Sequence, residues 1–74
     1  MVILESDHTR RELDDLLTRL RPFEQQHRMQ SGDFHVRFHA GELGDEAKFF
    51  EWSALYDMAG VLRQRLHHLE SVAE

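Results

Sequence analysis

Apolar side chains recur along this chain at helical spacing in two long runs, and the segment between them holds three of the four glycines. In the first run Leu13, Leu16, Leu20, Phe23 and His27 follow at alternating intervals of three and four residues. That repeat keeps one stripe turned toward a neighbouring helix. Leu17 widens the stripe. In the second run Trp52, Leu55, Ala59, Leu62, Leu66 and Leu69 repeat the pattern, and Ala73 extends it.

The punctuation predicts where these helices begin and end. Thr9 followed by Glu12 has the form of a capping box, so the first helix is expected over 9–28. Pro22 removes a backbone donor within it, and a kinked continuation is expected there. Asp15 and Glu24 each precede an arginine by four residues, Arg19 and Arg28, a spacing that supports the exposed face. Ser31, Gly32 and Asp33 open a short second helix over 31–40 that carries Phe34 and Phe38 on one face and is ended by Gly41. Gly44 and Asp45 then supply a turn and an N-cap for a third helix over 45–71. Acids at the start of that helix and Arg63, Arg65, His67 and His68 near its end both suit the helix macrodipole.

The fold expected from these elements is all-α. It is one domain over 1–74, an antiparallel hairpin of two long helices with a short helix between them. A chain this short buries only about 60% of its unfolded surface, and it has no cysteine for disulfides or thiolate metal sites. The two stripes therefore predict a homodimer with a four-helix-bundle-like core. Its interface is expected at Leu13, Leu16, Leu20, Trp52, Leu55, Ala59, Leu62, Leu66 and Leu69. Gly60, beside Ala59, either lets another helix approach closely or is a tolerated exposed glycine.

Charge narrows the partners. Fourteen acids against nine bases give a net charge of −5. Residues 41–74 hold Glu42, Asp45, Glu46, Glu51, Asp57, Glu70 and Glu74 against Lys48, Arg63 and Arg65. Such a surface repels phosphate, so unaided nucleic-acid binding is disfavoured. The apolar start, Met1 to Leu4, is too short for a signal peptide or a membrane span. With the absence of cysteine, it leads to a cytoplasmic expectation and no membrane association.

Candidate chemistry is sparse. Five Phe, one Trp and one Tyr make up the aromatics, and all but Phe23 fall between positions 34 and 56. Core packing explains most of them. Phe50 lies opposite the Trp52–Leu55 stripe, so it is either covered by the short helix or left as an anchor for a partner. Glu42 and Asp45 beside it are the candidate acidic contacts. His35 and His39, four apart on a helix, are the weak candidates for a metal pair, with Asp33, Glu42 or a second chain needed to complete the ligand set. No nucleophile, base and orienting group come together, and no phosphate-binding loop is present, so neither catalysis nor a cofactor is expected.

The residues Phe23-Glu24 to Met29, Phe34, Phe38, Gly41-Glu42-Leu43-Gly44-Asp45, Phe49 to Trp52 and Leu55-Tyr56 span about half the chain. They resemble a group of small uncharacterised prokaryotic helical proteins with a GELGD…EWxxLY pattern. The chain departs from that pattern at Pro22 and at His35, where an aromatic is common. Members of the group often lie next to toxin-like genes, so the resemblance implies an antitoxin-like protein with a partner encoded by a neighbouring gene.

The leading expectation is thus a non-enzymatic protein–protein interaction module. The alternatives are a helix-turn-helix DNA-binding regulator built on the second and third helices, and a metal-binding helical module using His35 and His39.

Overall fold

The computed structural model describes residues 2–72, with side chains described from Ser6 to Ser71. The described residues form three helices and no strand: α1, Val2–His27; α2, Ser31–His39; and α3, Ala47–Val72. The all-α expectation is met.

Side-chain partners run in opposite directions along the two long helices. Arg10 of α1 pairs with Glu70 of α3, Leu16 shares a groove with Leu62, Phe23 stacks on Trp52, and His27 meets Phe49. Helix α2 packs mainly on α3 and touches α1 more lightly. The molecule is a rod of 44 × 21 × 18 Å with a radius of gyration of 14.3 Å. A compact chain of this length has a radius of gyration of about 11 Å. The excess means that α2 covers one end only, and that α1 and α3 face each other alone at the other.

Helix α1 starts at Val2, well before Thr9, and the expected capping box does not form. Thr9 is instead buried, on the same stripe as Leu13 and Leu16. No glycine or proline interrupts positions 2–8, and α3 runs far enough for Arg65 and Leu69 to lie beside His8 and Thr9, so tertiary packing overrides the local cap signal at Thr9. The helix continues without interruption through Pro22. Pro22 and Thr18 are both exposed, so water can serve the Thr18 carbonyl that the proline cannot reach.

The α1–α2 junction carries a motif that glycine usually marks. Arg28 adopts φ +50°, and the Met29 N–H donates to the Glu24 carbonyl at 3.1 Å. Those are the bonds of a Schellman C-cap with arginine in its left-handed position. Helix α2 ends in the same way, here with glycine: Gly41 sits at φ +78°, its N–H donates to the Phe38 carbonyl, and that of Glu42 donates to the Arg37 carbonyl.

Gly44, at φ +82°, makes the second turn of the α2–α3 connection, and Leu43 between the two glycines packs against the core. The N-cap expected at Asp45 is not there. Helix α3 begins at Ala47, where the Phe49 N–H donates to the Glu46 carbonyl at 3.0 Å. The left-handed turn at Gly44 delays helical geometry by two residues.

Candidate functional site

Two regions of the molecule could carry function, and both are built on α3. The first is the junction of all three helices around Trp52, which is fully buried. One face of its indole lies against the Phe34 ring, 3.8 Å between centroids and 4° from parallel. On its other contacts are Phe23 at 5.5 Å and His27 at 5.4 Å. The indole N–H donates to the Ser31 hydroxyl oxygen at 2.8 Å. The Ser31 hydroxyl in turn donates to a Glu24 carboxylate oxygen at 2.7 Å, and the Ser31 N–H donates to the same oxygen at 3.0 Å.

Glu24 thus caps α2 from α1. A carboxylate at the positive end of α2 is electrostatically favourable, and Gln30, the residue in the N-cap position, makes no side-chain cap bond. The Glu24–Arg28 pair expected from spacing is replaced by this contact. By contrast the Asp15–Arg19 pair forms, at 3.1 Å. The Trp52 N–H, the Ser31 hydroxyl and N–H and one Glu24 carboxylate oxygen are all paired, so these bonds tie the three helices to one another, while the buried His27 Nε2 beside Trp52 has no partner.

His35 and His39 lie ring to ring at 4.3 Å, with Tyr56 4.9 Å from His35. The His35 Nδ1 stands 3.8 Å from an Asp57 carboxylate oxygen, beyond hydrogen-bond reach. Among the described residues no group of three or more His, Asp or Glu side chains is placed to hold a metal ion.

Most of the residues expected at a dimer interface pack inside one chain. Leu13, Leu16, Leu20, Trp52, Ala59, Leu62 and Leu66 are all buried within a single chain, and Leu55 and Leu69 are half-buried. The two stripes seal each other, because α1 and α3 lie side by side and α2 covers the aromatic end. Ala59 is small for the sake of this core, since nothing of it reaches solvent. At Gly60 an added Cβ meets nothing within 4 Å, so no segment of this chain approaches closely there.

The second region is an apolar ridge on the outer side of α3, which joins the expected anchor Phe50 to Met58 and Val61. Phe50, Met58 and Val61 are 56%, 53% and 57% exposed. With Ala54, also exposed, they recur at intervals of four, four and three residues, which places them on one helix face. Phe50 is braced by an edge-on contact with Phe38 at 5.1 Å and is otherwise open. Beside the ridge runs a groove of about 400 Å³, floored by Leu16 and Leu62 and edged by Met58, Val61, Glu12, Asp15 and Arg19.

The spacing was legible in the sequence, but the stronger Trp52–Leu69 repeat on the same helix masked it. Glu42 and Asp45 are exposed in the α2–α3 turn. In the first turns of α3 Lys48 is the one basic side chain, and it pairs with Glu46 at 3.4 Å; the exposed residues Phe50, Glu51 and Ala54 are apolar or acidic, where a DNA-reading helix carries donors for base edges. No helix among the described residues is long and apolar enough to cross a membrane.

No family model matches the chain, and no curated protein or solved structure is significantly similar to it.

Proposed function

We propose that the chain is a non-enzymatic protein–protein interaction module, an antiparallel helical hairpin braced by a short helix that presents the outer ridge of α3 to a protein surface. One observation carries this reading. Three of the four large hydrophobic side chains left most exposed, Phe50, Met58 and Val61, share one face of one helix, while the core beneath them is closed. Scattered exposed hydrophobics are ordinary on a protein surface, whereas a contiguous ridge with a groove beside it is the mark of a contact site. The net charge of −5 favours a protein partner over a phosphate backbone.

In the form that the sequence resemblance implies, the chain is antitoxin-like and its partner is the product of a neighbouring gene. The exposed acids Glu42 and Asp45 would then face a basic surface near Phe50.

The test is a photoreactive amino acid placed at Ala54 in cells of the source organism, with the same group at Arg11, on the outer side of α1, as the control. A defined adduct from position 54 alone, whose identified component also binds the purified chain and loses binding on Met58→Lys, is the expected result. Equal labelling from both positions, or none from position 54, would remove the ridge as a contact surface.

A further inference from the structure

We infer that the partner of the α3 ridge is a second copy of this chain, with the two α3 helices packed antiparallel. The inference rests on the reading of the ridge as a contact surface, and adds to it the identity and direction of what binds.

The order of charge along the ridge carries the argument. Past Val61 the same helix face continues through Arg65 and His68, at intervals of four and three residues, and both are exposed. The first half of the face is flanked instead by Glu51 and Asp57, also exposed. The strip is therefore acidic beside its first half and basic beyond its second, with the apolar side chains between. Parallel pairing would set Glu51 against Glu51 and Arg65 against Arg65. Antiparallel pairing sets Glu51 of each copy beside Arg65 of the other, and does so twice, because a two-fold axis makes every contact reciprocal.

Glu51 and Arg65 are fourteen positions apart, close to four full helical turns, so they project to nearly the same side about 21 Å apart. Both ends of such a pair can close at once. In the same register the small Ala54 of each copy comes opposite the bulkier Val61 of the other, the pairing of small with large that lets helices interlock, and Met58 meets its own copy at the axis. A biological interface needs at least about 500 Å² from each partner, roughly a tenth of the 5601 Å² that one chain exposes. A helix strip about 30 Å long and 10–12 Å wide supplies about 300–360 Å², and the groove edge on α1, with Glu12, Asp15 and Arg19, must supply the rest. The arrangement has one internal cost: Asp57 lies near the axis and faces its own copy. From α2 the His35 ring faces it, 3.8 Å away.

The experiment is sedimentation equilibrium of the purified chain and four variants, each checked for helix content by circular dichroism. The wild type should sediment as a dimer at micromolar concentration, and Met58→Lys as a monomer with its helices intact. Glu51→Arg and Arg65→Glu should each weaken the dimer about tenfold, since each reversal sets two like-charge contacts against each other. The double variant should restore it. Asp57→Asn should tighten it. A monomeric wild type, a dimer indifferent to Met58→Lys, or a double variant no tighter than the singles would each overturn the proposal. A monomeric wild type whose position 54 is captured by a different protein would overturn self-pairing and leave the ridge a contact surface; no capture at all would remove both.

Discussion

The two ends of the rod bury their apolar side chains to different depths. Where three helices meet, the two largest buried side chains, Trp52 and Phe34, have no exposure at all, although Phe49 beside them keeps 9%. Where only α1 and α3 meet, Leu13, Leu16, Leu62 and Leu66 retain 6–9%, and the ion pair that joins the helices there, Arg10–Glu70, is exposed. Two helices share a single seam, and each leaves most of its circumference in water. A third helix converts the seam into an enclosed space. The short α2 therefore does more for stability than its nine residues would imply, and the two-helix end remains the part with surface to offer.

The sharpest way to break this contrast is to truncate one residue at each end. Trp52→Ala removes the ring on which Phe34, Phe23 and His27 stack, and should cost about 3–5 kcal/mol. That is most of the stability available to a domain of this size, so far-ultraviolet circular dichroism should show a largely unfolded chain at room temperature. Leu66→Ala can be partly refilled by relaxation of an open seam, and should cost about 2 kcal/mol, at the low end for such a truncation. An equal or larger loss from Leu66→Ala in urea melts would show that the seam, and not the junction, holds the fold.

A smaller effect tests the polar side of the same junction. Ser31→Ala leaves the buried Trp52 N–H without an acceptor and takes one donor from Glu24, which should cost about 1–3 kcal/mol. Ser31→Thr keeps the hydroxyl and should cost less if the added methyl is accommodated. If the alanine variant melts like the wild type, the Trp52–Ser31–Glu24 bonds contribute nothing beyond packing.

Much of the architecture was legible in the sequence because it rests on periodicity, which is a local property. The stripes at Leu13–Phe23 and Trp52–Leu69, the break near Ser31 and the stop at Gly41 all follow from the order of residues. What escaped is set by pairing in space. Thr9 reads as a cap, but it is buried because α3 happens to reach that far. Glu24 reads as the partner of Arg28, but the start of α2 comes back to meet it. Whether the leucine stripes were to be sealed by each other or by a second copy turned on how closely α1 and α3 lie, which spacing does not encode. The Phe50–Val61 ridge was present in the spacing, yet only the observation that the main stripe is already covered gives it meaning.

Gly60 marks where the cover given by α2 runs out. Phe49, Ser53 and Tyr56 precede it at intervals of four and three along one side of α3. Phe49 meets Phe34 and Phe38, and Tyr56 meets His35, but one turn later a Cβ at Gly60 would touch nothing. Gly60→Ala should therefore stabilise the chain by about 1 kcal/mol through helix propensity, and raise its Tm by roughly 4–8 °C in calorimetry. A loss of stability would mean that another surface presses against that turn in solution, extending the covered end of the rod.

The smallest effect comes from the α1–α2 junction. Arg28 holds φ +50°, a conformation that costs a residue with a Cβ about 1 kcal/mol, and its side chain is exposed. Glycine adopts this conformation freely but also gains freedom in the unfolded chain, so the two effects partly cancel. Arg28→Gly should stabilise by a few tenths of a kcal/mol, up to about 1. The comparison that isolates the backbone term is Arg28→Ala, which keeps the Cβ and should gain nothing. If alanine and glycine behave alike in urea melts, the left-handed cap is not what positions Ser31 beneath Glu24. The three-helix end would then owe its geometry to the aromatic stack alone.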